Sequence, residues 1–143
     1  MKLAIIFNDK KLSGRLTKFW TGAAFYHVGW ADQDADLFYD MHMLRRRRYW
    51  SDYSANKRYM LVNCPEVTKA QLEHELNVCD SRYSRLDYVL FAARPILHAL
   101  GKSTPNAGGL ICSEMVNIDA INAGIPTPWP INSAPPSPSD WYR

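Results

Sequence analysis

Cysteine is scarce and widely scattered in this chain. There are three, Cys64, Cys79 and Cys112, and no pair reads CxxC. An odd, widely spaced set excludes a disulfide-stapled scaffold and a zinc knuckle, and a reducing compartment is the natural setting. Long apolar runs are missing too. The longest stretch, Val89 to Leu100, is broken by Arg94, Pro95 and His98, which excludes a membrane span. The N-terminal run Leu3–Phe7 has only five residues. That is shorter than a secretory core and reads as a strand, so the expected location is the cytoplasm. Charge of one sign is not in large excess either. A net charge of +3 permits anionic partners without requiring one. No internal repeat and no linker divides the 143 residues, a length that suits one domain with a true core.

Apolar residues make up 47% and charged residues 22%, as in a soluble globular protein. Leu3–Phe7 is continuous and apolar, like a buried strand. Leu12, Leu16, Phe19 and Trp20 fall at helical spacing over residues 11–20. Tyr26–Ala31 and Leu37–Leu44, joined by the polar residues 32–36, read as a β-hairpin. Arg58–Val62 is a further strand. Thr68 suits a helix N-cap with Gln71 as its capping-box partner, and Leu72, Leu76 and Cys79 form that helix's apolar stripe. Leu86–Leu100 reads as a helix bent near Pro95. Residues 101–109 form a loop. Cys112–Ala123 reads as a helix with Met115, Val116, Ile118 and Ile121 apolar, closed by Gly124. The proline-rich tail is expected along the surface, pinned by Trp129, Ile131 and Trp141. This order predicts an α+β fold, an antiparallel sheet packed against helices in one domain over 1–143.

Chemistry concentrates at "GGLICSEMV". Gly108 and Gly109 let the chain approach a helix start closely, and a cysteine at a helix N-terminus has its thiolate favoured. The same backbone N–H groups suit an oxyanion. The competing reading is that Cys112 is a small buried hydrophobe. Cys79 lies on an apolar stripe and Cys64 ends a strand before Pro65. A thiol nucleophile needs a base. His74 and His98 sit within helices, whereas His27 begins one hairpin strand and His42 ends the other. Alternation puts Phe38, Asp40 and His42 on one face. Asp40 or His42 is thus a candidate to hold the His27 ring. The plain alternative is the polar edge of a hairpin.

Three stretches resemble the circularly permuted branch of the NlpC-type papain-fold superfamily, which includes lecithin:retinol acyltransferase-like proteins. They are "LSGRLTKFWTGAAFYHVGW", similar to the family's helix and "SHVG" strand, "GGLICSEMVNIDAINAG", similar to its "CSE" helix, and "SPSDWY", similar to its closing "SP-x-D" segment. "YSRLDYVLFA" stands where the family has a helix start containing tyrosine and aspartate. The histidine precedes the cysteine by about eighty-five residues, the order of the permuted branch. The resemblance implies a permuted papain-like fold, with Cys112 as nucleophile, His27 as general base, and Asp40, or alternatively His42, as the orienting residue. It implies a thiol hydrolase of an amide bond, in a peptide, isopeptide or cell-wall peptide, working through an acyl-enzyme and without a cofactor. A phage-encoded origin also fits this kind of enzyme.

Two other functions compete. The same Cys–His pair serves lipid or thioester acyl transfer, where Tyr49 and Trp50 beside the arginines would meet lipid headgroups. A non-catalytic module would use Arg45, Arg46, Arg47 and Arg48 with Tyr49, Trp50 and Tyr53 to bind nucleic acid, an anionic surface or a protein. The plainer expectation for residues 45–50 is a solvated extension of the hairpin. A metal site of His27, Asp40 and His42 ranks low, because the spacing is not that of usual zinc ligands.

Overall fold

The computed structural model describes residues 1–7, 25–42, 44–78, 93, 96, 97, 99–101, 112–129 and 141, with Phe25 and Tyr26 as backbone only. The helix expected over 11–20, most of that over 86–100, the glycine pair 108–109, Cys79, His98, Ile131 and the segment 137–140 lie outside the described residues.

The described elements are β1 (Lys2–Phe7), β2 (Phe25–Asp32), β3 (Leu37–Met41), β4 (Arg45–Tyr49), α1 (Trp50–Ser54), β5 (Tyr59–Asn63), α2 (Lys69–Val78) and α3 (Cys112–Asn122). The strands form one sheet in the order β4-β3-β2-β1-β5, with every neighbouring pair antiparallel. The fold is α+β, as the element order predicts. The central strand β2 carries His27, and the helix start carries Cys112.

The hairpin forms where its pattern places it. Asp32 Oδ1 accepts from the Ala35 N–H at 3.1 Å, and Asp36 takes the left-handed conformation at φ 52°, a conformation that Asp tolerates better than most residues. Asp36 also starts α1. Its carboxylate accepts from the Ser51 N–H at 2.7 Å and the Ser51 hydroxyl at 2.8 Å. The end of α3 follows expectation as well. Gly124 has φ +79°, with Gly124 N–H donating to Ile121 O and Ile125 N–H to Ala120 O, both at 2.9 Å. This is the paired closure that a C′ glycine allows.

Three expectations are corrected. The arginine run is a strand, β4, paired residue by residue with β3, and not a solvated extension. The capping box at α2 is half formed. Thr68 Oγ1 accepts from the Gln71 N–H at 3.2 Å, but the Gln71 side chain turns inward and donates to Glu75 Oε1 and Asp119 O. In α3, Ile118 and Ile121 are only half-buried, whereas Asn117 and Asp119 are buried. The helix is enclosed on several sides, so burial no longer follows hydrophobicity.

Alternation divides the sheet into two faces. One gathers Leu3, Ile5, Val28, Trp30, Tyr39 and Met41 against Val67 and Leu72 and against Met115, Val116 and Ala120 of α3. The other gathers Ala4, Ile6, Ala31 and Phe38 against Trp50 and Tyr53. Gly29 lies where the second face is tightest. A Cβ there would meet Phe38 Cζ and Tyr39 O, both at 2.7 Å. Only glycine lets the Phe38 ring lie over β2 beside His27.

A buried polar knot ties α2 and α3 to the first face. Arg45 Nη1 bonds Glu75 Oε2 at 2.7 Å and Asp119 Oδ1 at 2.9 Å, and Trp30 Nε1 donates to Asp119 Oδ2 at 2.9 Å. Burial first, and then the hydrogen bond with Glu75, push the Asp119 carboxyl well above the usual carboxylate range. Asp119 is therefore held as a neutral acid, while Arg45 and Glu75 form the ion pair. The tail is pinned by Asn117, whose Nδ2 donates to Trp129 O at 2.9 Å, and by the Trp129–Trp141 ring contact.

Two stability effects follow, both measurable by chemical denaturation. Gly29→Ala should destabilise the fold by about 1–3 kcal/mol, the usual cost of overpacking, because one obstacle is backbone. Asp119→Ala should cost about 3 kcal/mol by stranding the Trp30 N–H and part of Arg45. Asp119→Asn should cost less than Asp119→Ala, since its amide oxygen still accepts from one of the two donors, Trp30 or Arg45.

Candidate active site

The site begins with a disturbance in β2. The β1–β2 register runs Ile5↔Val28 and Ile6↔His27, then jumps to Phe7↔Phe25. A bulge therefore falls immediately before His27. Such bulges redirect side chains and end regular pairing. On the other side, the β2–β3 ladder covers only Trp30–Asp32 against Leu37–Tyr39. His27 and Asp40 lie just past its last paired residues, on the same face of the sheet.

His27 is buried, with its ring centroid 6.0 Å from that of Tyr53 and 6.3 Å from that of Phe38. Its Nε2–H donates to Asp40 Oδ2 at 2.9 Å. An ionised carboxylate only accepts, so the Nε2 proton is assigned by its partner. Nδ1 is then the nitrogen that can exchange a proton with a thiol. Cys112, half-buried at the first position of α3, lies within charge and hydrogen-bond reach of this imidazole. The Val28 backbone N–H adds a hydrogen bond to the sulfur.

The electrostatics follow from these contacts. Burial alone would disfavour the imidazolium of His27. The charge of Cys112, the hydrogen bond to Asp40 and the further interactions of both partners outweigh it and raise the pKa to about 9. Burial alone would also push the Cys112 thiol up. The charge and hydrogen bond of His27, with the Val28 N–H, bring it below its ordinary value. Opposite shifts in two touching groups favour a thiolate–imidazolium pair between the two pKa values.

Asp40 has 0% exposure, so its charge depends on partners. It has three. Besides His27, Arg46 Nε donates to Oδ1 at 3.0 Å, and Arg48 Nη2 bonds Oδ2. Burial alone would raise the Asp40 carboxyl, but His27 and the two arginines bring it below the usual carboxylate range. Arg48 also lies over the Tyr53 ring, 3.9 Å from its centroid.

Of the two candidates for orienting His27, the structure brings Asp40 to it. His42 is exposed in the bend after β3, its N–H bonded to Leu44 O. His74 is exposed on α2. Cys64 follows β5, where burial raises its thiol. His27, Asp40 and His42 do not form a metal-binding group, and none is found among the described residues. No helix among the described residues is long and apolar enough to cross a membrane.

The arginines were the residues whose role sequence reasoning missed. The register pairs Met41↔Arg45, Asp40↔Arg46, Tyr39↔Arg47 and Phe38↔Arg48. Alternation then sends Arg46 and Arg48 to Asp40, and Arg45 and Arg47 to the opposite face, where Arg47 Nη1 meets Glu73 Oε1 at 2.6 Å. All four bond a carboxylate, with Arg46 and Arg48 sharing that of Asp40. The available signal was Asp40 followed by four consecutive arginines, with period-2 alternation.

No protein-family model, curated protein or solved structure matches the chain.

Asp40→Asn removes both a charge and a charge-assisted bond that favour imidazolium, and leaves Arg46 and Arg48 beside the ring. The His27 midpoint, followed by proton NMR, should fall from about 9, and the onset of Cys112 alkylation should move to higher pH. An unchanged His27 midpoint would mean that Asp40 does not act on the ring.

Proposed function

We propose that the protein is a thiol-dependent hydrolase that cleaves an amide bond through a Cys112 acyl-enzyme, on a permuted papain-like arrangement. The observation that carries this reading is the single imidazole of His27 standing between the Asp40 carboxylate and the Cys112 thiol. A structural cysteine needs neither partner. In chain order the base on a strand precedes the nucleophile at a helix start, which agrees with the resemblance of the "HVG" and "CSE" segments to the permuted family.

The chemistry runs as follows. Cys112 gives its proton to His27 Nδ1, and the thiolate attacks the carbonyl carbon. The oxyanion is met by backbone N–H groups at the start of α3. The imidazolium returns the proton to the leaving nitrogen, the C–N bond breaks, and a thioester remains. His27 then takes a proton from water, which attacks the thioester. The carboxylic acid leaves and the thiol is restored. Asp40 holds the ring in the tautomer this cycle needs and stabilises its charged form.

The pH limits follow from the shifts. Cys112 must lose its proton, so activity rises through its lowered pKa. His27 must carry one to protonate the leaving group, so hydrolysis falls again through about 9. The test is alkylation of each cysteine against pH, read by mass spectrometry, in the wild type and in His27→Ala. Cys112 should react well below the ~8.5 of a free thiol, and His27→Ala should move that onset upward. Identical onsets in the two proteins, or an inert Cys112, would overturn the proposal. Hydrolysis of amide, ester and thioester substrates then identifies the bond, with Cys112→Ala abolishing it.

A further inference from the structure

We propose that Arg46 and Arg48 form an anion-binding subsite beside the Cys112–His27 pair, which selects acyl substrates carrying a carboxylate close to the scissile bond. This rests on the hydrolase reading and names the substrate class for it.

The first support is a charge imbalance. On the opposite face of the sheet, Arg45 faces Glu75 and Asp119, and Arg47 faces Glu73. Each guanidinium there has at least one carboxyl to itself. On the His27 face two guanidiniums share the one carboxylate of Asp40, which also serves His27. The Cys112–His27 pair is neutral overall whether its proton sits on sulfur or on nitrogen. Among the described residues, this face therefore carries one positive charge more than its carboxylate matches, separated from the nucleophile by Asp40 and the His27 ring.

The second support is geometry. Arg46 spends its Nε on Asp40 Oδ1, and its side chain is 39% exposed. Its terminal Nη groups have no acceptor among the described residues. Arg48 is 28% exposed and is held over the Tyr53 ring, 3.9 Å from the centroid. Its Nε is buried without an acceptor among the described residues. A guanidinium fork fixed by Asp40 on one side and an aromatic face on the other is set for a carboxylate, which it binds through paired N–H donors. A substrate carboxylate would complete the charge balance that Asp40 leaves open.

The test uses iodoacetate and iodoacetamide on the full chain at neutral pH. They transfer the same methylene to sulfur, and differ in carrying a carboxylate or a neutral amide. Rates at Cys112 are read by mass spectrometry, with Cys64 as internal reference. The iodoacetate-to-iodoacetamide ratio should be higher at Cys112 than at Cys64. It should fall about threefold to fivefold, the contribution of a half-exposed charge pair, in Arg46→Gln and in Arg48→Gln. Arg47→Gln makes the same charge change on the opposite face and should leave the ratio unaltered, and Arg46→Lys, which keeps the charge and loses the fork, should fall between the wild type and Arg46→Gln. Removing either arginine also acts on His27 through Asp40, so the His27 midpoint is followed by proton NMR in each variant and the ratios are compared at a pH where the ring is equally charged. Added succinate should lower the iodoacetate rate more than equimolar inorganic phosphate, and the reverse order would assign the subsite to phosphate and overturn the carboxylate preference. A ratio no higher than at Cys64, or one unmoved in Arg46→Gln, overturns the subsite while a low-pH onset with iodoacetamide keeps the Cys–His pair. Inertness of Cys112 to both reagents removes both readings.

Discussion

The buried negative charge of Asp40 is the constraint on which the rest of this site depends. A carboxylate with no exposed surface is unstable unless cations reach it, and here three do. One is the His27 imidazole, whose proton it fixes. The other two are guanidiniums from the neighbouring strand. The requirement explains why a strand made almost entirely of arginine pairs with β3, an arrangement with little intrinsic strand propensity and strong self-repulsion. Asp40 on one face, with Glu73 and Glu75 on the other, offsets much of that repulsion. Tertiary charge pairing, more than local preference, makes β4 a strand.

The same sheet position joins structure to chemistry. A bulge before His27 and the early end of the β2–β3 ladder take His27 and Asp40 out of regular pairing, where their side chains can serve a helix end. Gly29 lets Phe38 press against β2, and Phe38 and Tyr53 wall the imidazole. The hydrophobic packing of one face thus fixes the His27 ring. The polar knot of Arg45, Glu75, Asp119 and Trp30 on the other face sets how α3, and with it Cys112, lies against β2. Packing and charge act on His27 and Cys112 from opposite sides of one sheet.

Much of the scaffold was legible in the residue pattern. Alternation in 26–31 and 37–44 marks the hairpin, the apolar run 3–7 marks a central strand, Thr68 marks the start of α2 and Gly124 the end of α3. These signals are local, and each has a backbone cause. The site was legible in part. His27 and Asp40 share a face by period 2, and Cys112 opens a helix. The choice between Asp40 and His42 was open, because both alternate onto that face. It depended on where β3 ends, and Met41 is its last residue. Gln71 shows the same limit. Its spacing from Thr68 suits a capping box, yet its side chain finds better partners in Glu75 and Asp119 O, which are distant in sequence.

By itself the sequence determined which residues alternate, which can cap, where a thiol meets a helix start, and that the chain makes an α+β domain without a long apolar span. These are consequences of periodicity and backbone geometry within a few residues. Only the tertiary structure decided that Asp40 orients His27, that the four arginines divide between two faces and two sets of carboxylates, and that Asp119 is buried as a neutral acid beneath Trp30. Each of these depends on strand register and helix placement. Those are set by the simultaneous burial of distant segments, and a charge's partner is known only once that burial is complete.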